Sequence, residues 1–238
     1  LRSAESQPGA ALHAMEVFED IAPATTPRAA ELCDWLASVS LADGGLPFAV
    51  GVTGDAGVAP FWARADPAVS SLQITAYVTA TAHRVAAHDP AVAGHEWLAA
   101  ASRYCLAAIR EIGASPHALA LTAALWLLDA VHDSDPEAAA LLDRLGTLIP
   151  ADGRLHVAGG TEEEAMHPLD FAPAPGRPVR ALFAPHAIPA DLERLASWQQ
   201  ADGGWRVDFT SYSPAAALEW RGYMTVRALS ILRREGLV

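Results

Sequence analysis

Gln199-Gln200-Ala201-Asp202-Gly203-Gly204-Trp205 decides how this chain is read, because it occurs again as Ser40-Leu41-Ala42-Asp43-Gly44-Gly45-Leu46 and, in weaker form, as Ile149-Pro150-Ala151-Asp152-Gly153-Arg154-Leu155. Each copy follows a segment of helical periodicity. An Asp side chain can accept backbone N–H groups freed where a helix ends, and paired glycines tolerate the positive φ that a reversal requires. The Leu or Trp that follows then folds back onto the helix. The copies therefore read as turns that organise the fold rather than as catalytic loops. A second internal match accompanies them: Leu72-Gln73-Ile74-Thr75-Ala76-Tyr77-Val78-Thr79 aligns with Leu218-Glu219-Trp220-Arg221-Gly222-Tyr223-Met224-Thr225. Self-similarity of this kind marks an array of like units, and the unit here is a helical hairpin.

The segments around the turns are helical. In 27–40, Leu32, Trp35, Leu36 and Val39 share one face, Thr26 stands at the N-cap and Pro27 occupies the first helical position. Similar segments run over 8–21, 70–88, 96–112, 116–132, 136–148, 189–201 and 214–234. The stretch 118–128 is nearly apolar all round, which implies burial on two sides. Almost nothing alternates with period two for long enough to make a strand, so the expected class is all-α.

Composition narrows the function. The 238 residues are 52% hydrophobic and 18% charged, with 16 basic against 28 acidic side chains for a formal charge of −12. Such a chain can bury a core. Without a basic cluster it is not expected to bind nucleic acid or an anionic membrane, since both require phosphate neutralisation by Lys and Arg. All the basic residues are Arg, and Lys and Asn are absent. That removes Schiff-base and P-loop lysines, Cys-His-Asn triads and N-glycosylation. Cys33 and Cys105 show no C-x-x-C spacing and read as buried structural thiols in a reducing, cytoplasmic setting. No apolar run approaches the roughly 20 residues needed to span a bilayer, and no signal peptide opens the chain. It begins Leu1-Arg2 without a methionine, and an amino-terminal part is expected to lie outside this sequence.

Gln200-Ala201-Asp202-Gly203-Gly204-Trp205, closing a helix, resembles the QW motif of squalene and terpene cyclases and the related repeats of protein prenyltransferase β-subunits. The copies at 40–46 and 149–155 replace the Trp by Leu. As repeat architecture the likeness covers most of residues 27–238. What it implies is a single domain over 1–238 folded as an (α/α) toroid, with inner helices around a cavity and outer helices behind them. On that pattern 27–40, 95–112, 136–149 and 189–201 are outer helices. Their inner partners are 70–88, 116–132, an irregular Pro-rich stretch at 162–186, and 214–234, while 8–21 is an inner helix without its pair. About four and a half pairs are then present, against about six in a closed ring, and an array left open exposes an apolar end.

The motifs that define chemistry in that family are missing. Asp133-Ser134-Asp135-Pro136 lacks the final Asp of an Asp-x-Asp-Asp proton donor and reads as a solvated cap. There is no Asp-Asp dipeptide for magnesium and diphosphate, no alignable Asp, Cys and His trio for zinc, no G-x-S-x-G and no H-E-x-x-H. Gly51, Gly54 and Gly57 form a glycine loop without the strand and helix of a dinucleotide site. No metal or cofactor is expected.

The remaining candidates are polar and aromatic residues near the starts of inner helices. Gln73 and Glu219 align across the repeat, with Gln7 and His117 in loosely similar places. Around them stand Phe61, Trp62, Tyr77, Trp126, Phe209, Tyr212, Trp220 and Tyr223, whose π-faces can stabilise a cation or bind an apolar ligand. They can equally be packing aromatics, and Glu219 beside Arg221 can equally be an ion pair between hairpins. Asp208, after the best turn, is the preferred single acid, with Glu219 beside it, its pKa to be raised by burial. A second cluster, Thr161 to Asp170, sets Glu163 and His167 on one face if helical, with His156 nearby; metal ligation or acid–base work is conceivable there, though four prolines favour a solvated loop. Three functions follow as expectations. The leading one is a toroid that binds or transforms an apolar, isoprenoid-like small molecule, through Gln73, Tyr77, His117, Trp126, Phe209, Tyr212, Trp220 and Tyr223. The others are a non-catalytic helical-repeat interaction module, and an (α/α) barrel acting on carbohydrate through Asp208 with Glu219 or Glu163.

Overall fold

A computed structural model describes residues 5–51 and 58–238, and Gly54 and Gly57 of the glycine loop fall outside them. Among the described residues the regular elements are helices apart from one pair of two-residue strands, as an all-α class requires. It divides into two compact units, one made of Leu1–Pro116 and Ala123–Leu142, the other of His117–Thr122 and Asp143–Val238.

Unit 1 holds α1 (Pro8–Asp20), α2 (Pro27–Val39), α3 (Pro60–Ala63), α4 (Leu72–Ala86), α5 (Pro90–Ala93) and α6 (Glu96–Arg110), with the larger part of α7 (Ala118–Val131) and the start of α8 (Ala138–Gly146). Proline opens α1, α2, α3 and α5, where its missing N–H costs nothing. Thr26 caps α2 by accepting from the Arg28 N–H at 3.4 Å, as the sequence indicates. Helix α4 packs against α1, α5 and α6, and α2 packs against α1, α5 and α6, so two helical layers meet over a common core. Met15, Cys33, Leu36, Leu46, Val78, Val85, Val92, Trp97 and Leu98 fill it. Burial of each such aliphatic side chain stabilises the unit by about 1.5–3 kcal/mol. Cys33 and Cys105 are buried and unpaired, as read. Burial pushes the Cys33 thiol up to about 12, with Asp34 and Asp89 adding to the effect, and pushes Cys105 up as well.

The 118–128 segment lies within α7, where Ala118, Leu121, Ala123, Ala124, Leu125, Leu127 and Leu128 are all buried. Past its end, Ser134 Oγ donates to the Val131 carbonyl at 3.1 Å and Asp135 Oδ1 accepts from the Glu137 N–H at 2.9 Å. The Asp-Ser-Asp string is thus a helix-boundary cap.

Unit 2 holds the strands β1 (Leu155–His156) and β2 (Ala165–Met166), paired antiparallel, then α9 (Pro168–Phe171), a 3-10 turn at Pro178–Leu182, α10 (Ala187–Ser197) and α11 (Pro214–Arg234). Helix α10 packs against α9 and α11 around Leu169, Leu195, Trp205, Ala228, Ile231 and Leu232. The Pro-rich stretch is irregular, as its composition indicates, apart from two short elements. Pro168 and Pro178 sit at element starts, where the ring fits, and begin α9 and the 3-10 turn, while Pro173 and Pro175 lie in the irregular segment between them. Glu163 and His167 do not share a helical face: Glu163 is exposed in the β1–β2 connection, while His167 is buried after β2. Helix α10 begins two residues before Pro189, which the first turn accommodates because the N–H there has no intrahelical partner.

Candidate functional site

The repeated turns come first because they hold the helices that carry the candidate residues. In the first copy the Gly44 N–H donates to the Leu41 carbonyl at 2.9 Å, the Leu41 N–H donates to the Gly45 carbonyl at 2.8 Å, and Asp43 Oδ1 accepts from the Gly45 N–H at 3.0 Å. In the second, the Gly203 N–H reaches the Gln200 carbonyl at 2.9 Å, the Gln200 N–H the Gly204 carbonyl at 2.8 Å, and the Gly204 N–H reaches Asp202 Oδ1 at 3.2 Å. Gly44 and Gly203 have φ of +88° and +85°, a region that a side chain strains. The weaker copy keeps the core of the pattern, with Gly153 N–H on the Pro150 carbonyl at 2.8 Å and Arg154 N–H on Asp152 Oδ1 at 3.0 Å.

Each turn is then tied to a following helix, α4 or α11, by a threonine. The Leu46 N–H donates to Thr75 Oγ1 at 2.8 Å and the Trp205 N–H donates to Thr225 Oγ1 at 3.0 Å. Both hydroxyls in turn donate to the carbonyl four residues back, of Ser71 and of Arg221, each at 2.7 Å. This corrects the sequence register. Thr75, not Thr79, is the counterpart of Thr225, so α4 and α11 are offset by one helical turn from the alignment by letters. Gln73 therefore corresponds to Tyr223 and not to Glu219, and the two polar residues are not equivalent. A one-turn slip keeps every side chain on nearly the same helical face, so the amphipathic pattern alone could not exclude it.

The aromatic candidates gather in two places. In unit 1, Tyr77 and Trp126 stand edge to face with centroids 5.1 Å apart, and the Arg84 guanidinium lies 5.4 Å over the Trp126 ring. Gln73 is half-buried at the start of α4. Phe48, Phe61 and Trp62 form a further group, with Phe48 and Trp62 at 4.5 Å. Gln7 is buried and satisfied, its amide N donating to the Val50 carbonyl and its amide O accepting from the Val50 N–H at 3.0 Å. In unit 2, Trp220 is set near-perpendicular to Phe209 at 5.2 Å and to Tyr223 at 5.8 Å. Tyr212 is exposed, and Leu218, one turn before Gly222, is 71% exposed.

The acids fare differently. Asp208 is half-buried next to Phe209. Glu219 is exposed and is not enclosed as a buried acid catalyst would be. The neighbouring Arg221 is the residue that bridges elements: it pairs with Asp202 in the turn and holds that carboxyl below its ordinary range. His117 is exposed and acts as a cap, its Nδ1 accepting from the Leu119 N–H at 3.3 Å while Nε2 meets the Ala158 carbonyl at 3.0 Å.

Periodicity gave no warning of the buried polar network in unit 2. Asp191, 4% exposed, accepts from the Leu169 N–H at 2.8 Å and from Arg194 Nε at 2.5 Å, and lies 3.8 Å from His167 Nδ1. Asp170 Oδ2 accepts from the His167 N–H at 2.7 Å, and its other oxygen pairs with Arg227 at 2.9 Å. Burial lowers the His167 pKa, with the Arg194 charge in the same direction. Arg194 and Arg206 lie over the Trp198 ring at 4.3 and 4.5 Å. Asp191 fastens α9 to α10 and the Asp170–Arg227 pair fastens α9 to α11, while Arg194 and Arg206 pack on the end of α10. Among the described residues no three His, Cys, Asp or Glu side chains are grouped to hold a metal ion.

No family model, curated protein or solved structure matches the chain. The functional reading therefore rests on these residues and on the motif resemblance. No described helix is long and apolar enough to cross a membrane.

Proposed function

We propose that the chain is an (α/α) toroid-type protein that receives an apolar, isoprenoid-like small molecule against the aromatic residues of its inner helices. The observation that carries this reading is the perpendicular set Phe209, Trp220 and Tyr223 beside the exposed side chains of Tyr212 and Leu218. Half-buried rings next to exposed apolar side chains offer an apolar ligand a contact surface, and π-faces attract a cation if one develops. In a catalysed reaction Asp208, adjoining Phe209, is the residue to which we assign proton donation, and Glu219 drops to a solvent-side role. Titration of the full chain with farnesol, followed by tryptophan fluorescence, tests the assignment. Saturable quenching that Trp220→Ala abolishes, with helical circular dichroism intact, is expected. Non-saturable quenching, or unchanged binding by Trp220→Ala, overturns it.

The interaction-module reading has one observation of its own. Leu218, Val226 and Leu229 are 71%, 62% and 41% exposed and, with Gly222, follow one face of α11. A protein partner lost on Val226→Arg, with farnesol quenching intact, favours that second reading.

A further inference from the structure

A cleft of about 490 Å³ opens in unit 1, lined by none of the aromatic residues assigned above. One wall is the end of α2 and the first repeated turn, from Ala37 and Ser40 to Gly44; the other is one face of α6, bearing Glu96, Trp97, Ala100 and Arg103. Its size falls within the range of small-molecule sites.

The walls are rigidly built. A Cβ on Gly44 would sit 2.9 Å from the Ala100 carbonyl oxygen, so the turn lies directly on the α6 backbone. Asp43 is held in place by the Gly45 N–H and by the Ser70 hydroxyl, which donates to it at 2.7 Å. By contrast, the charges of Glu96 and Arg103 are engaged by no other described residue. They are seven positions apart, two turns along one face, with the small Ala100 between them. Two turns span about 10 Å of helix axis, beyond the reach of the usual three- or four-residue ion pair. Trp97, which lines this wall, also has an enclosed Nε1–H that finds no acceptor among the described residues.

We propose that this cleft binds a short peptide with free termini, its ammonium group on Glu96 and its carboxylate on Arg103. The match is one of length and sign. Three extended residues span about 10 Å, the same as the separation of the two charges. A carboxylate can take the planar guanidinium of Arg103 through two parallel hydrogen bonds, and the methyl group of Ala100 leaves room for the peptide backbone between them.

Isothermal titration of the full chain with trialanine tests this, against the same peptide acetylated at the amine, amidated at the carboxyl, or both. Saturable binding of the free peptide is expected, at least tenfold weaker when both ends are blocked. Glu96→Gln is expected to remove the preference for a free amine and leave that for a free carboxylate, and Arg103→Gln to do the reverse. Both side chains are exposed at the surface, so each variant keeps its fold, which unchanged urea unfolding checks. Absence of saturable binding, equal binding of the blocked peptide, or unchanged end preferences in both variants overturns the proposal. Farnesol titration reads different residues, so the two assignments fail separately.

Discussion

The first and second repeated turns share their local hydrogen bonds almost atom for atom, yet they are anchored by different means. Around Asp43 the anchor is neutral and tight: a serine hydroxyl on the carboxylate, a glycine lying on the α6 backbone, and Leu46 wholly buried. Around Asp202 it is ionic and open: Arg221 on the carboxylate, nothing within 4 Å of a Cβ on Gly203, and Trp205 as the buried plug, its indole N–H donating to the Leu195 carbonyl at 2.7 Å. The same turn chemistry thus serves two packing solutions. A turn of this kind specifies the direction in which the chain reverses, and the next side chain specifies how the reversed chain is bound to the helix behind it.

The largest effect that separates the two anchors is at the plug. Trp205→Ala removes a buried indole together with its hydrogen bond and is expected to cost about 3–5 kcal/mol, whereas Leu46→Ala is expected to cost about 2–5 kcal/mol, both read from urea unfolding. Trp205→Phe sharpens the comparison, since it keeps an aromatic ring and removes only the indole bond to the Leu195 carbonyl, which retains the Trp198 N–H at 3.2 Å.

Acid distinguishes the units next. Burial, with the Arg84 charge, lowers the His83 pKa from 6.5 to about 4, while its Nε2 meets Ser102 Oγ at 2.8 Å. The neutral form is the one the fold accepts, so its contribution is complete above pH 6.5 and is lost as pH falls from there towards about 4. The difference amounts to about 3 kcal/mol over that window. His83→Gln is expected to flatten the stability profile between those limits, and an unchanged profile would show that the imidazole is not confined as described. His167 shifts in the same direction in unit 2, where Asp170 and Asp191 oppose the shift.

The glycines come third. Gly203→Ala meets only the positive φ and is expected to cost about 1 kcal/mol; Gly44→Ala adds a clash with backbone and is expected to cost at least about twice as much. Equal costs in thermal unfolding would mean that the first turn moves off α6 without penalty. The smallest effect is electrostatic. Arg221 lowers the Asp202 pKa, so its contribution is present above the ordinary carboxylate range and lost as pH falls through the lowered value. Asp202→Asn is expected to lower the melting temperature slightly, and less in 1 M salt than in dilute buffer, because the pair is exposed. Asp43→Asn, whose partner is uncharged, is expected to show no such salt dependence.

Much of the architecture was readable because it is local. The Asp-to-glycine hydrogen bond closes within two residues, and proline at a helix start declares itself by position, so the all-α class, α11 and the turns follow from the letters. The pair Trp220 and Tyr223 is also local, three residues apart on one helix. The cleft beside α6 was not readable, because Glu96 and Arg103 look like any solvated helix charges until the turn at Asp43 is laid next to them. The Pro-rich stretch is irregular, as its composition indicates; the two short elements that Pro168 and Pro178 open were not legible, since composition does not report where in a helix a proline stands.

By itself, then, the sequence determined what a few neighbouring residues can settle: where helices begin, where they reverse, and which face of each is apolar. Tertiary structure decided the register between turn and helix, with Thr75 rather than Thr79 receiving the Leu46 N–H, and it decided the enclosure of half-buried His83 and the burial of His167 and Asp191. The reason is periodicity. A slip of one turn leaves a helix with the same apolar face, so only a directional bond between distant residues can choose among such alternatives.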